Sequence, residues 1–237
     1  MNASRTRRAL AVAVALLVLV AVSGYLVMNA RTFQLAGRLV DRVETGEKVV
    51  ALTFDDGPDE HTQEIIDVLA AEKARATFFV VGSQLRAWPQ HGKALVAAGH
   101  QLGNHTFTHR RMVFVPPSTV EAEIEPTDAL IRQAGERGDI PFRPPTGKKL
   151  LTLPLYLAGH DRVTVMWDVE PDSGATPAAA EIVTLVREQV RPGSIILLHP
   201  WYGSGRETRA AIAGVVRGLR ADGYRFVTVA ELLADPR

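Results

Sequence analysis

The segment VVALTFDDGP, residues 49–58, contains the pattern that decides both the fold and the chemistry of this chain. Its apolar run from Val49 to Phe54 predicts a buried strand, and a Gly-Pro pair ends the segment. Asp55 and Asp56 directly follow the strand. Two adjacent carboxylates at a strand end can divide the work of a metal hydrolase, since one can bind the metal while the other accepts a proton.

Similar apolar runs recur downstream, with segments of helical period between them. They span residues 76–81, 163–167, 194–198 and 224–229. This alternation predicts an α/β domain with a parallel sheet, either a barrel or an open doubly wound sheet. Asp168 and His199 each follow one of these runs. Barrel enzymes carry their chemistry at the carboxyl ends of the strands, so we expect both side chains to meet Asp55 and Asp56 at one mouth.

Two histidines four residues apart, His105 and His109, lie about fifty residues after the carboxylates. Together with a carboxylate they form a three-ligand set that leaves coordination positions open, as catalytic metals require. The chain has no cysteine, which excludes disulfides, thiolate ligands and a cysteine nucleophile. A metal site must therefore be built from His, Asp and Glu.

Length and charge limit the remaining possibilities. The 237 residues, of which 46% are hydrophobic, can bury one substantial core, so we expect one globular catalytic domain. The net charge is only +1, and the basic residues are spread along the chain. A nucleic acid partner is therefore not expected.

The N-terminus predicts an export or anchoring segment. Arginines at positions 5, 7 and 8 precede an apolar stretch from Ala9 to about Met28, which is long enough to cross roughly 30 Å of hydrocarbon. The predicted order is a cytoplasmic N-terminus (1–8), a transmembrane anchor or uncleaved signal (9–29), a juxtamembrane stalk (30–47) and the catalytic domain (48–237). This order places a single-pass protein in the cell membrane with its catalytic domain outside the cytoplasm.

A cleaved signal peptide is the alternative for the same segment. Leu10 to Val22 could be its apolar core, with cleavage near Ser23 and Gly24 or at Ala30. The catalytic domain would then be secreted rather than anchored.

Four motifs carry a resemblance to a known family. They are TFDDGP (53–58), NHTFTH (104–109), FRPP (142–145) and LLH (197–199). In this order and spacing the chain resembles, over residues 48–232, the polysaccharide deacetylases with a NodB-type domain, which form carbohydrate esterase family 4. The resemblance implies an irregular (β/α) barrel and hydrolysis of N-acetyl groups on a glycan.

The resemblance also implies roles for individual residues. Asp56, His105 and His109 would bind a divalent ion, most often Zn²⁺, although other divalent ions serve in the family. Asp55 would be the general base, and Arg143 would keep it ionised and oriented with a planar guanidinium.

The remaining implied roles concern the tetrahedral oxyanion and the leaving group. The backbone N–H of Thr146 would stabilise the oxyanion. His199, as imidazolium, would protonate the departing amine, because an amide nitrogen leaves poorly until it is protonated.

The chain departs from the family pattern in two places. Thr146 stands where the family usually has Tyr, so an apolar wall is lost while the backbone N–H remains. The fourth motif lacks the usual Asp-Trp pair near its strand, which leaves the partner of His199 open between Asp172, our first choice, and Asp168.

The leading hypothesis is a metal-dependent hydrolase that removes N-acetyl groups from N-acetylhexosamine units of a cell-wall or extracellular polysaccharide. An exported, anchored enzyme would meet peptidoglycan first, while chitin oligosaccharides and exopolysaccharides stay open. An esterase for O-acetyl groups on carbohydrates is the nearest chemical alternative. A non-catalytic glycan-binding module of the same fold is the alternative from a different class.

Overall fold

The computed structural model describes residues 3–174 and 177–234. The ends of the predicted cytoplasmic and catalytic segments, residues 1–2 and 235–237, lie outside this description. The strands are β1 Leu39–Val40, β2 Val49–Asp55, β3 Thr77–Val80, β4 Gln101–Asn104, β5 Thr164–Val165, β6 Ile195–Leu198 and β7 Arg225–Val227. The α-helices are α1 Ala3–Asn29, α2 Thr62–Ala71, α3 Gly82–Ala87, α4 Pro89–Ala97, α5 Pro117–Ala134, α6 Thr152–Gly159, α7 Ala179–Gln189, α8 Arg206–Ala221 and α9 Val229–Ala234.

The strands form the predicted irregular barrel. Parallel strands lie in the order β4-β3-β2-β6, β7 pairs with the start of β2, and β1 pairs with β5. Phe142 forms bridges to both Asn104 of β4 and Thr164 of β5, and an antiparallel bridge joins Arg42, after β1, to Ser194, before β6. These single bridges join the two sheets into a ring, which is why the barrel is irregular.

The central strand and the covering helices show why the sequence adopts this arrangement. Every residue of β2 is buried, as expected for a parallel strand covered on both faces. Helix α8 buries one stripe at helical spacing, which includes Ile212, Val215 and Leu219, and packs against α7. The continuous apolar run and the amphipathic helix therefore place β2 at the centre of the molecule, with its carboxyl end at the catalytic mouth.

Helix α1 stands apart from this core. Its apolar part, Arg7–Asn29, is long and apolar enough to cross a membrane, and none of it is buried in the protein. These properties suggest a membrane anchor or a signal sequence.

The predicted stalk, residues 30–47, needs a correction, because part of it belongs to the catalytic fold. Leu39 and Val40 pair with Thr164 and Val165, and Gln34 is buried. The folded domain therefore begins before Lys48. The mixed polar sequence concealed this strand because its partner lies more than a hundred residues away.

Candidate active site

The predicted site residues come together at the carboxyl ends of the strands. Asp55 ends β2, and Asp56, His105 and His199 directly follow β2, β4 and β6. They line one cavity of about 390 Å³. Its other walls include Asn29, Arg31, His109, Thr146, Trp167 and Glu170.

The turn after β2 has a backbone that its residue types explain. Asp56 has φ of 79°, in the left-handed region that Asp tolerates better than most residues. Gly57 follows, and the ring of Trp201 lies only 2.3 Å from where a Cβ on Gly57 would stand. Only glycine admits this close approach, so Trp201 fixes the turn that presents Asp56.

Asp56, His105 and His109 offer ligand atoms that all lie within 4.8 Å of one another. Asp56 Oδ1 is 3.1 Å from His109 Nε2 and 3.5 Å from His105 Nε2. His105 Nδ1 donates a hydrogen bond of 2.8 Å to the carbonyl oxygen of Arg143. Its proton is thereby on Nδ1, and Nε2 presents a lone pair to the cluster.

The three residues fit a divalent cation. Asp56 Oδ1 is buried and makes no hydrogen bond of normal geometry among the described residues, although an imidazole nitrogen lies 3.1 Å from it. A buried carboxylate oxygen left in this state costs free energy, and a cation at this point would compensate for it. Two imidazole nitrogens and one carboxylate oxygen form a donor set suited to Zn²⁺ and similar ions.

The loop that carries the histidines is held by two side chains. Thr106 and His109 both have positive φ, 66° and 59°. Asn104 Oδ1 accepts the N–H of Thr106 at 2.8 Å, and Glu123 of α5 accepts the next two backbone N–H groups at 2.9 and 2.8 Å. This role of Glu123 was not predicted from the sequence, since a glutamate on an amphipathic helix ordinarily faces water.

Asp55 forms a buried ion pair with Arg143. Arg143 is fully buried, and its Nη1 donates to Asp55 Oδ1 at 2.6 Å. Nε and Nη2 donate to the carbonyl oxygens of Val165 and Met166 at 3.2 and 3.1 Å. The satisfied guanidinium fixes one oxygen of Asp55, while the other, Oδ2, lies 3.6 Å from Nε2 of His105.

His199 is held by Asp172. His199 Nδ1 lies 3.2 Å from Asp172 Oδ1, and its backbone N–H donates to Asp172 Oδ2 at 2.6 Å. Thr208 also donates to Oδ2, at 3.0 Å. Burial alone lowers the pKa of His199, but the hydrogen bond with Asp172 and the charge of Asp55 outweigh it and raise the pKa to about 9.

Asp168 does not lie at the mouth, and our expectation that it would was wrong. Its oxygens accept the Ser194 hydroxyl at 2.8 Å and the Ile195 N–H at 3.0 Å, at the start of β6. His199 follows the other end of that strand. Val169 still bridges to Ile196, so the chain reaches the mouth only several residues later, near Asp172.

Thr146 and Glu170 complete the walls of the cavity. Thr146 has φ of 58° in a short turn, Pro145–Gly147, so its main chain is held in an unusual conformation. Glu170 accepts Trp167 Nε1–H at 2.7 Å and pairs with Arg31 at 2.6 Å. Neither Glu170 nor Arg31 was predicted as a site residue from the sequence, because neither belongs to a motif.

A second acidic and histidine group, Asp59, Glu60 and His61, also has ligand-like spacing. Both oxygens of Asp59 already accept hydrogen bonds, from the N–H groups of His61 and Tyr202, each at 2.8 Å. This group organises the turn before α2 and differs in that respect from the cluster at Asp56.

Comparison with known proteins identifies the family. The family described as polysaccharide deacetylase matches residues 42–182. The chain belongs to this family. A peptidoglycan-N-acetylglucosamine deacetylase of Bacillus cereus is 34% identical over 200 residues, which cover 83% of this chain and 93% of the relative. A chitooligosaccharide deacetylase of Sinorhizobium fredii is 38% identical over 164 residues, covering 68% and 76%.

Solved structures of the family share the fold. A peptidoglycan N-acetylglucosamine deacetylase in complex with an N-hydroxybenzamide has a TM-score of 0.77 and 29% identity, over 82% of this chain and 92% of that one. A family 4 pseudoenzyme from Bacillus anthracis has a TM-score of 0.75 and 25% identity, over 84% and 70%. The relatives support a deacetylase role, while the family also contains members described as pseudoenzymes.

Proposed function

We propose that this chain is a metal-dependent hydrolase that removes N-acetyl groups from N-acetylhexosamine units of peptidoglycan and releases acetate. The observation that carries the proposal is the buried Asp56 Oδ1, which faces two imidazoles in a cavity that Asp55 and His199 also line. Asp55 is paired with Arg143, and His199 is paired with Asp172. The candidate ligand cluster therefore has a candidate base, Asp55, and a candidate acid, His199, beside it.

We assign the ligand role to Asp56, His105 and His109, and we propose Zn²⁺ as the ion. When bound there, the cation would polarise the acetyl carbonyl oxygen and lower the pKa of an attacking water molecule. Its three protein ligands would leave positions open for these oxygens.

Asp55 is the proposed general base. One of its oxygens is occupied by Arg143, and the other faces the ligand cluster, where it can accept the proton of the attacking water. Arg143 compensates the charge of Asp55 in this buried position and holds its orientation, so that the carboxylate does not replace a ligand.

His199 is the proposed general acid, with Asp172 as its positioning residue. With Nδ1 turned to Asp172, Nε2 can donate a proton to the amide nitrogen as the C–N bond breaks. The N–H of Thr146 would hydrogen-bond the carbonyl oxygen as its negative charge develops. The products are acetate and a free amine, and the atoms of one water molecule are divided between them.

We propose that α1 is a single-pass anchor and that the folded domain that follows it is a catalytic domain outside the cytoplasm. The arginines that precede the apolar segment support this orientation. An enzyme in this position meets peptidoglycan, and a peptidoglycan deacetylase is among the relatives matched over most of their length.

The test is acetate release by the purified full chain in detergent from peptidoglycan and from N-acetylglucosamine oligomers. Each substrate is assayed after chelation and again after Zn²⁺ is added back. The proposal predicts release that is lost on chelation, restored by Zn²⁺, and faster with peptidoglycan. Release only from O-acetylated glycans would instead favour the esterase, and glycan binding without any release would favour the non-catalytic module.

A further inference from the structure

The end of α1 is attached to the catalytic domain by two lysines. The backbone N–H of Lys149 donates to the carbonyl oxygen of Met28 at 3.3 Å, and Lys149 Nζ donates to that of Ala30 at 2.5 Å. Lys148 Nζ bonds the side-chain oxygen of Asn29. Cations at a helix C-terminus compensate its partial negative charge and its unpaired carbonyls. The end of the helix is therefore hydrogen-bonded to the catalytic domain and is not connected to it only by a free linker.

This contact brings the end of α1 to the active-site cavity. Asn29 and Arg31 line that cavity together with the proposed catalytic residues. Arg31 donates to Glu170 at 2.6 Å, and its guanidinium lies 4.8 Å from the centre of the Trp167 ring. The segment able to span a membrane ends at Asn29. One wall of the cavity is thus formed where the chain would leave the hydrocarbon.

Exposed apolar side chains surround the same point. We define the apolar collar as Phe33, Leu35, Phe114, Leu151 and Leu155, whose exposed fractions are all between 50% and 86%. Leu151 comes two residues after Lys149, and Leu155 is one helical turn farther on. Met112, two residues before Phe114, bridges to Lys149, which brings Phe114 to the same side.

The other two collar residues lie on the segment between α1 and β1. Phe33 and Leu35 lie two and four residues after Arg31, and Gly37 lies against α6, where a Cβ on it would be 3.1 Å from Ala158 Cβ. A single exposed apolar side chain is ordinary, but a group of five around one point marks an interaction surface.

The charges near the collar in the sequence favour a lipid surface as the partner. Arg110 and Arg111 are exposed and lie four and three residues before Phe114, and Lys148 lies three residues before Leu151. Basic groups attract anionic headgroups, while aromatic and leucine side chains enter the boundary between headgroups and acyl chains. Helix α1 ends against Lys148 and Lys149, close to Leu151, so a bilayer that α1 spans would lie next to this surface.

We propose that the apolar collar is a membrane-contacting surface that holds the mouth of the catalytic domain against the lipid bilayer into which α1 inserts. Together with the proposed deacetylase function, it would restrict the enzyme to N-acetylated glycan at the outer face of the membrane. The membrane contact itself requires no catalysis, so it can be tested without substrate.

Site-directed spin labelling tests the proposal on the full chain, which has no cysteine to remove. Phe114→Cys and Leu151→Cys place labels in the collar, Val14→Cys places one in the span, and Glu188→Cys is the matched control. Glu188 is exposed near the end of α7, at the base of the barrel where β6 begins. Each variant is reconstituted in vesicles of phosphatidylcholine and phosphatidylglycerol, and the accessibility of each label to oxygen and to a polar nickel complex is measured.

We expect the ratio of oxygen to nickel accessibility at positions 114 and 151 to exceed that at 188 by roughly threefold or more, as for side chains in the headgroup boundary. Position 14 should give the highest ratio. Equal ratios at 114, 151 and 188 would overturn the proposal, as would a water-exposed label at position 14. Labels at 114 and 151 that neither reagent reaches would also overturn it, since they would indicate a protein partner.

Discussion

Asp56 and Asp168 both follow apolar runs in the sequence, but they lie at opposite ends of the barrel. At the mouth, Asp56 Oδ1 is buried without a hydrogen-bond partner among the described residues. At the base, Asp168 has both oxygens bonded, to Ser194 and to the backbone of Ile195. The hydrogen bonds of a carboxylate therefore distinguish a candidate metal ligand from a structural residue, although the sequences before Asp56 and Asp168 look alike.

The cavities at the two ends of the barrel also differ in whether their charged side chains already have partners. The cavity at the base is the larger, about 720 Å³ against about 390 Å³ at the mouth. Its charged residues include Asp128, which pairs with Arg162 at 2.5 Å and accepts from Asn104 at 2.7 Å. An ion pair whose charges are already satisfied is not available for catalysis. The volume of a cavity is therefore a poorer indicator of the active site than the bonding of its polar side chains.

The largest effect should come from removing a ligand at the mouth. We expect His105→Ala to lose bound Zn²⁺ and to lower acetate release by about a thousandfold or more, because substrate polarisation and water activation are lost together. Metal content and acetate release measure both effects. The matched control is Asp168→Asn, which should keep its zinc. A His105→Ala variant that retains both zinc and activity would refute the ligand assignment.

Asp55→Asn should separate metal binding from catalysis. The amide keeps the shape of the side chain but cannot accept the proton, so we expect turnover to fall by about 10²–10⁴-fold while zinc content is unchanged. The turnover rate with saturating peptidoglycan and the zinc content are measured for the variant and for the unmodified protein. Full activity in this variant would exclude Asp55 as the base.

Asp172→Asn should shift the pH dependence. His199 must be protonated to act as acid, so the rate falls as pH rises through its pKa. Because Asp172 raises that pKa, its removal should move the alkaline limb of the kcat profile to lower pH, by about one unit or about 1.4 kcal/mol. Asp168→Asn is the control and should leave the limb in place. If instead Asp168→Asn moved it, our choice between the two carboxylates would be wrong.

The smallest effect on activity should come from Asp168→Asn, which acts on stability. The amide keeps one acceptor oxygen but loses the charge and part of the bonding at the start of β6. We expect a loss of about 1–3 kcal/mol in the free energy of unfolding, measured with urea, and near-normal acetate release by the folded protein. Unchanged stability would mean that this cluster does not support the strand.

Prediction from the sequence was most accurate where a segment's local residue pattern reflects its burial in the fold. The run that forms β2 is apolar throughout, because the strand is covered on both faces, and the two carboxylates at its end occupy the mouth as expected. The alternation of strands and helices likewise predicted a parallel sheet, either a barrel or an open doubly wound sheet, and the family resemblance implied the barrel.

Prediction failed where a role depends on a distant partner. The short strand β1 has only two apolar residues, Leu39 and Val40, within a mixed polar segment, and it exists through its pairing with β5. Strand β4 contains Gln101, Gly103 and Asn104, residues with weak strand preference, and is held in place by β3. The position of Asp168 depended on how far the chain continues along β6 before it reaches the mouth, and the sequence does not record that path.

The central claim is that one divalent ion, bound at Asp56, His105 and His109, makes the mouth of the barrel catalytic. The most direct measurement is a titration of the chelated full chain with Zn²⁺, in which bound metal and acetate release from peptidoglycan are recorded in the same samples. We expect activity to rise linearly with bound Zn²⁺ and to saturate at one ion per chain. Activity that survives complete removal of metal, or that does not return when one ion per chain is bound, would contradict it.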